Sequence, residues 1–479
     1  MKRSVVVIGA GIAGLTAAYR LNKLVKSAGI AVDVTVLEKE GRLGGTIQTE
    51  YADGFVIEAG PDCFFAEKPH AGMLVNELGM ADRLIGTNDE NQGTYVLWHG
   101  RLHKLPEGVI LMIPTKFTPF ATSTLFSIPG KIRMGMEMFV PRRADGVDES
   151  LAEFTVRRFG REALDRIAEP LIAGVHAGDP GTMSVKSSFP RFVDMEARYG
   201  SLIKGMIKAR SAMRRQVAGK VGKGTTMFMT MKNGLKELID AIVRQSGGVS
   251  FRTGTGVKSV ERAVNDGVDG TSAFRVVLSN GEDVKADGVI IAVPAYAAAG
   301  MVSPLSGELS QLLMSIPYVS TATVSLAYDK KDVRMPLKGF GVVIPAKEKR
   351  NIMAATWTSS KFAHRAPEGA VLLRCFVGGA KNQDMVFKTD DEILGLIRAD
   401  LGDIMGIAAG PKLARIYRWE RAMPQYTIGH ESRLKAIEQL VADAGNLHIC
   451  GSAYRGIGIS DSINSGNVAA QQALKHLLE

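Results

Sequence analysis

The chain opens with a short apolar run at residues 4–8 and resumes, after a glycine-rich break, with helical spacing at 15–25. Ala17, Ala18, Leu21, Leu24 and Val25 supply the apolar face of that helix. A second β-rich run, Val32–Leu37, ends on Glu38. Residues 55–62 read as a strand closing in a Gly-Pro turn, 71–78 as a short helix stopped by Gly79, and 95–106 as a hairpin. The texture changes near residue 109. Residues 109–215 are rich in Met, Phe, Arg and Lys, with helical spacing over 130–140, 150–159 and 161–172. The apolar stretches 110–115 and 117–126 suit a local core, or the wall of a channel or membrane surface; the core is the simpler reading. Residues 206–224 are very basic and are expected to form a mobile surface loop.

The second half returns to β-rich patterning. A helix at 235–245 and a strand at 254–260 precede a β-meander of Phe274–Leu278, a turn at Asn280-Gly281 and 284–294. Antiparallel strands are expected at 320–327, 339–344, 354–358 and 371–377, followed by a helix over Asp390–Met405. A strand at 447–451, a Gly-rich turn at 452–460 and a helix at 461–478 complete the pattern.

The first of these breaks carries chemistry. Gly9-Ala10-Gly11-Ile12-Ala13-Gly14 lies between a strand and a helix, and the next strand ends in an acid. This is the dinucleotide fingerprint in its required strand–turn–helix–strand setting. Gly9 permits the tight turn, Gly11 lets the backbone approach a pyrophosphate, and Gly14 lets the helix pack on the sheet. The positive helix end receives the pyrophosphate, and Glu38 is placed to accept ribose hydroxyls. An acid at 38 in place of a base argues against a 2′-phosphate. Downstream, Lys39 leads to Gly41-Arg42-Leu43-Gly44-Gly45-Thr46, where Arg42 offers a fork of donors and the glycines expose amides to an anion.

Composition limits the alternatives. The chain has 479 residues, too many for one ordinary core, so two or three domains are expected. Three widely spaced cysteines without a Cys-x-x-Cys argue for a reducing compartment and against a disulfide framework. Eight histidines show no metal-ligand spacing beyond His99 and His103, which flank the expected hairpin turn, so no metal is expected. The apolar stretches 5–18 and 288–302 are broken by Gly or Pro and fall short of the roughly 20 residues that span a bilayer. Glycines also interrupt the run after Lys2-Arg3, which has no small-residue cleavage pattern and so does not read as a leader. The protein is expected in the cytoplasm, at most peripheral at the inner face of the membrane. A net charge of +10 suits an anionic partner, although a solvated basic surface is the usual explanation and no nucleic-acid motif accompanies it.

The Gly-Arg-x-Gly-Gly loop after Glu38 resembles that of the flavin-containing amine oxidase superfamily, where it wraps the FAD diphosphate. Further segments narrow the resemblance. Residues 168–180 contain Glu169-Pro170-Leu171, Gly174 and Ala177-Gly178-Asp179, and are similar to the signature of the protoporphyrinogen and coproporphyrinogen oxidase family, as are Met183-Ser184 and Phe189-Pro190. Residues 284–294, 419–426 and 447–461 match the family in order. The resemblance implies an α/β fold with a Rossmann-like FAD-binding domain of amine-oxidase type, a mixed-sheet substrate domain and a helical insertion. It divides the chain into 1–75, 225–295 and 412–479 for FAD; 76–224 for the mostly helical insertion, channel- or membrane-facing in the family; and 296–411 for substrate. FAD would be held by Gly9, Gly11, Ile12, Ala13, Gly14, Glu38, Lys39, Arg42, Gly44, Gly45 and Thr46. Ala59, Gly60, Pro61 and Asp62 would pass beside the flavin ring, and the Val257 backbone would hold the adenine. Trp419, Gly451, Ser452, Gly458 and Ile459 would complete the site. Ser452 replaces the superfamily's common Asp, so a carboxylate contact to the ribityl chain is not expected.

The branch resembled is that of Gram-positive bacteria. It implies oxidation of coproporphyrinogen III, or alternatively protoporphyrinogen IX, by O₂ with H₂O₂ release in haem biosynthesis, and hand-over to later enzymes of that route. No side-chain catalyst is expected, because the flavin accepts the hydride. Lys68, Gly174, His176, Asp179 and Tyr426 are the substrate-facing candidates, with Arg101, Lys104 and Arg210 as further propionate candidates. Plant and mitochondrial members place an Arg before the 95–106 hairpin; Asn91-Gln92-Gly93-Thr94 has no base there. Competing readings are an oxidase of amines or carotenoid precursors, a FAD-carrying protein without turnover, and a basic nucleic-acid or membrane binder.

Overall fold

The computed structural model describes residues 3–88, 93–110, 112–143, 146–217, 226–263 and 273–479. The first unit is β1 (Arg3–Ile8), α1 (Ile12–Ser27) and β2 (Val32–Leu37). The chain continues through β3 (Phe55–Glu58), α2 (Pro69–Glu77) and the hairpin β4 (Thr94–Trp98) and β5 (Arg101–Lys104). A helical region follows, with α3 (Ile128–Gly135), α4 (Leu151–Phe159), α5 (Glu169–His176) and α6 (Leu202–Val217). The chain then returns through α7 (Lys236–Gln245), β6 (Val249–Arg252), the meander β7 (Val257–Arg262), β8 (Phe274–Leu278) and β9 (Asp283–Ala286), and β10 (Gly288–Ile291). The last part holds β11 (Tyr318–Asp329), β12 (Gly341–Val343), β13 (Ala354–Thr356), α8 (Thr358–Lys361), β14 (Ala370–Gly378) and α9 (Asp390–Met405). It ends with β15 (Leu413–Pro424), α10 (His430–Asp443), β16 (Leu447–Ile449) and α11 (Ile459–Leu478).

Two sheets organise these elements. The first is wholly parallel, in the order β6-β2-β1-β10-β16. Its central strand β1 is apolar on both faces because both are covered. One face packs on α1, α7 and α11; the other packs on the meander and α10. Gly466 lets α11 cross α1 closely, since a Cβ there would sit 2.3 Å from the Ala13 carbonyl oxygen. The second sheet has seven strands, β15-β11-β14-β13-β12-β4-β5, antiparallel except between β12 and β4. α9 covers one of its faces.

The hairpin β4–β5 and the strand β15 therefore belong to the second sheet. The expected divisions at 76–224 and 412–479 cut across it, because hairpin and strand register are set by pairing partners distant in sequence. Three local expectations also change. Residues 206–217 continue α6 rather than forming a loop, and residues 218–225 lie outside the described residues. The strand expected from 254 begins at Val257. The helix through the 168–180 signature is not broken by its glycines: Gly174 stays helical, and the end comes at Ala177, which is left-handed at φ +50°. Pro170 enters this helix just after a π-turn at Leu164–Ala168, which accommodates its missing N–H.

The helical region has its own core, in which Met112, Ile113, Phe120, Leu125 and Phe126 are buried, as the simpler reading of 110–126 expects. Among the described residues no helix is long and apolar enough to cross a membrane.

Candidate active site

The glycine-rich turn follows directly from β1. Gly9 takes φ +99°, and Gly14 has no room for a side chain, because a Cβ would lie 2.0 Å from the Gly9 carbonyl oxygen. Gly11 is different. It caps α1 in extended conformation, and a Cβ built on it meets no protein atom within 4 Å. No side chain caps α1, and its first turn holds no acid. The free amides of that turn thus face open space at the positive end of a 16-residue helix. This donor set and this opening fit a dinucleotide pyrophosphate.

The 41–46 loop lies over this turn. Gly44 N donates to Ala10 O at 2.8 Å, and Gly45 packs against Gly11 so closely that a Cβ would approach its Cα to 3.0 Å. Glu38 is buried at the end of β2, where it accepts from Ala10 N at 2.8 Å and from Glu40 N at 2.9 Å. The same carboxylate therefore shapes the glycine turn that it borders. Residues 254–257 run alongside: Thr255 N donates to Glu38 O and Gly254 N to Glu40 O. This brings Gly256, next to Val257, up to Lys39: a Cβ on the glycine would stand 3.9 Å from the Lys39 side chain, whose ammonium is exposed. Arg42 and Thr46 are exposed on the outer loop.

The turn after β3 is fixed from several sides. Ala59 O accepts from Thr323 Oγ1 at 2.6 Å and from Trp419 Nε1 at 2.9 Å. Gly60 O accepts from the Arg374 guanidinium, and Asp62 O accepts from Thr230 Oγ1 at 2.8 Å. Gly60 is obligatory, since a Cβ would sit 1.9 Å from Thr46 O. Pro61, Asp62 and Cys63 are half-buried. The Asp62 carboxylate meets Lys361 Nζ at 3.1 Å. Burial opposes its charge, but Lys361 and Arg374 outweigh that and hold its carboxyl well below the usual range. Burial beside Asp62 pushes the Cys63 thiol up to about 12, so it stays protonated.

The third wall is the loop between β16 and α11. Tyr426 supports it: its hydroxyl donates to Ser452 O at 2.7 Å and accepts from Gly456 N at 2.8 Å, while its ring stacks on His430 at 4.2 Å. Gly451 takes φ +125° and has open space where a Cβ would stand. Gly458 caps α11, whose first residue is Ile459. Asp461 in that first turn pairs with Lys68 at 2.5 Å, and Ser460 Oγ donates to Lys68 O. His176 lies near enough for the Lys68 ammonium to act on it. Burial, helped by Lys68, lowers its pKa to about 4, so it is neutral at pH 7.

The structure brings together the glycine turn, the 41–46 loop, residues 59–62 and residues 451–459. It also gathers Lys68, His176 and Tyr426 at the junction of the helical region with α11. Other substrate candidates fall elsewhere. Gly174 packs toward Val343 and Ala354 of the second sheet. Asp179 accepts from Gly181 N and closes its own turn at the surface, near Lys381. Tyr426 is committed to the loop backbone rather than free for a ligand. Arg101 and Lys104 are exposed on β5, away from these walls, because the hairpin is the far edge of the second sheet. Arg210 lies on α6 with its side chain outside the described residues, as do Asn91 and Gln92. Sequence reading missed Thr323 and Arg374, which reach residues 59–62 from the second sheet, and Lys361, which reaches them from α8. One signal was available: Arg374 stands inside the apolar run of β14.

The family model for flavin containing amine oxidoreductases matches residues 12–474. Coproporphyrinogen III oxidase of Bacillus subtilis (strain 168) is 37% identical over 479 residues, covering 99% of both chains. The Staphylococcus aureus coproporphyrinogen III oxidase is 31% identical with full coverage of both, and Arabidopsis thaliana protoporphyrinogen oxidase 2 is 28% identical over 99% of this chain and 94% of its own. A crystal structure from Exiguobacterium sp. 255-15 superposes over the whole of both chains with a TM-score of 0.85 and 27% identity. Reduced UDP-galactopyranose mutase, at 19% identity and a TM-score of 0.71, covers all of this chain and shares the fold. With its glycine turn, second glycine loop and C-terminal helix all in place, the chain belongs to the flavin containing amine oxidoreductase family, and its cofactor is FAD.

Proposed function

We propose that this protein oxidises coproporphyrinogen III to coproporphyrin III, with O₂ as final acceptor, and takes protoporphyrinogen IX as an alternative substrate. The observation that carries this reading is the full-length similarity to coproporphyrinogen III oxidases, at 37% identity in the B. subtilis relative. When bound, FAD supplies the two-electron acceptor and passes electrons to O₂, giving H₂O₂. Three two-electron steps each remove a hydride from a meso carbon; the three accompanying protons leave from two ring nitrogens and the fourth meso carbon, and the macrocycle becomes aromatic.

Aromatisation drives the reaction, so the chain's task is to hold a flat ring in place and exclude water. Residues 59–62 and 451–459 fix two walls of the cleft. Lys68 is the residue for a propionate: half-exposed and, among the described residues, paired only with Asp461, it can exchange one carboxylate for another. Neutral His176 beside it presents a ring without charge to an apolar macrocycle. The product is handed to a later step that inserts metal or trims carboxylates, and the basic surface suits such an anionic cargo.

The experiment is anaerobic mixing of the yellow protein with coproporphyrinogen III. Rapid loss of the flavin's visible absorption, restored by air, is expected. A flavin reduced by amines but not by either porphyrinogen would overturn the reading.

A further inference from the structure

Residues 59–62 rest on a buried cluster of charge. Lys361 is 7% exposed, Arg374 3%, Arg365 0% and Glu58 2%. Lys361 Nζ meets Asp62 Oδ2 at 3.1 Å and Cys63 Sγ at 3.3 Å, and lies over the rings of Phe228 and Phe362. Arg374 donates to Gly60 O, and its Nη1 is 4.0 Å from Asp62. Glu58 accepts from Leu235 N and Thr49 Oγ1. Arg365 donates to Thr230 and to the backbone at Met231 and Lys232. The Nε atoms of both Arg365 and Arg374 are buried without a partner.

Three cations thus face Asp62 and Glu58, while Glu237, which also acts on Arg365, is paired with Arg83; burial raises the Glu58 pKa to about 7, so that it is often neutral. The cluster carries excess positive charge. Burial of each such ion costs several kcal/mol, and apolar residues of similar size commonly fill such space at no loss of stability. Thr323 and Trp419 already pin the backbone of Ala59. Holding the turn therefore does not by itself account for Lys361 or for the unpartnered guanidinium edges.

We infer that Lys361 and Arg374 are positioning residues that set uncompensated positive charge beneath the 59–62 turn and thereby raise the electron affinity of the bound flavin. The inference rests on the assignment of 59–62 to the flavin ring, and not on the identity of the reductant. A positive field stabilises the negative charge that reduction brings, and the low dielectric of a buried cluster leaves that field weakly screened.

The test is the reduction potential of bound FAD, titrated against a reference dye, in the wild type, Lys361→Met, Asp62→Asn and the double variant. Lys361→Met should shift the equilibrium toward oxidised flavin at least tenfold, about 30 mV for a two-electron couple. Asp62→Asn should shift it the other way, and the double variant should return near the wild type. Equal potentials in all the FAD-loaded proteins would overturn the inference. Should Lys361→Met fail to fold with Asp62 left unpaired, Asp62→Asn and the double variant still decide. Failure of porphyrinogen turnover with these shifts intact would remove the proposed substrate and leave the electrostatic role standing.

Discussion

At the residue scale, the dinucleotide site separates glycines needed for folding from one needed for binding. Gly14 and Gly60 have backbone oxygens within 2.0 Å of any Cβ, whereas Gly11 has only open space. Gly11→Val should therefore fold with an unchanged melting curve and lose FAD, because its side chain would stand where the pyrophosphate goes. Flavin content and circular dichroism on one sample check this. Gly14→Ala should fail to give soluble protein. Glu58 makes a second prediction. Its pKa rises from 4.5 to about 7 on folding, chiefly through burial, so the native state binds more protons than the unfolded chain across that range. Its contribution is full below pH 4.5 and is lost as pH climbs past 7, roughly 3 kcal/mol by linkage. Glu58→Gln should flatten the fall in stability between pH 5 and 7.5, measured by denaturant midpoints; an unchanged slope would assign that fall to other groups.

At the scale of elements, the loop from β16 to α11 depends on one hydroxyl. Tyr426→Phe keeps the stack on His430 but removes both bonds to Ser452 and Gly456. With each bond contributing about 1 kcal/mol, FAD should bind roughly thirtyfold more weakly while the melting temperature of the apoprotein moves little. The helical region has a corresponding buried centre. Arg158 and Glu137 are both fully buried and paired, with Ser201 Oγ and the amide of Leu202 also on the carboxylate. Glu137→Ala removes the nearer of the two carboxylates on Arg158, which keeps Glu196 at 3.3 Å, and should cost about 3 kcal/mol, seen as lower thermal stability. What was legible in the sequence follows from locality. β1, α1, β2 and α9 are written in contiguous residues, with period, glycine and cap together. The placement of the β4–β5 hairpin and of β15 in one sheet is set by distant partners, Gly341 for Thr94 and Tyr318 for Pro424. Likewise Glu38, Gly11 and Gly44 were readable from a motif, whereas Lys361 and Arg374 reach Asp62 and Gly60 across 299 and 314 residues. Tyr426 was readable as a motif residue, but its role was not, because two backbone groups near 454 use its hydroxyl.

At the scale of the whole molecule, two sheets and a helical region meet at one turn. The parallel sheet delivers the helix ends proposed to receive FAD, the second sheet braces residues 59–62, and the helical region brings His176 toward Lys68. Division of labour follows from this. Changes in the parallel sheet should act on cofactor retention, and changes at Lys68 should act on substrate. Lys68→Met, with FAD bound normally, should raise KM for coproporphyrinogen III severalfold more than it lowers kcat. The most direct measurement of the central claim is aerobic turnover of purified holoprotein with coproporphyrinogen III, following porphyrin fluorescence and H₂O₂ together. The account predicts coproporphyrin formation with one H₂O₂ for each pair of electrons removed, faster than with protoporphyrinogen IX. A protein that keeps its FAD yet forms neither porphyrin nor H₂O₂ above the spontaneous rate would contradict it.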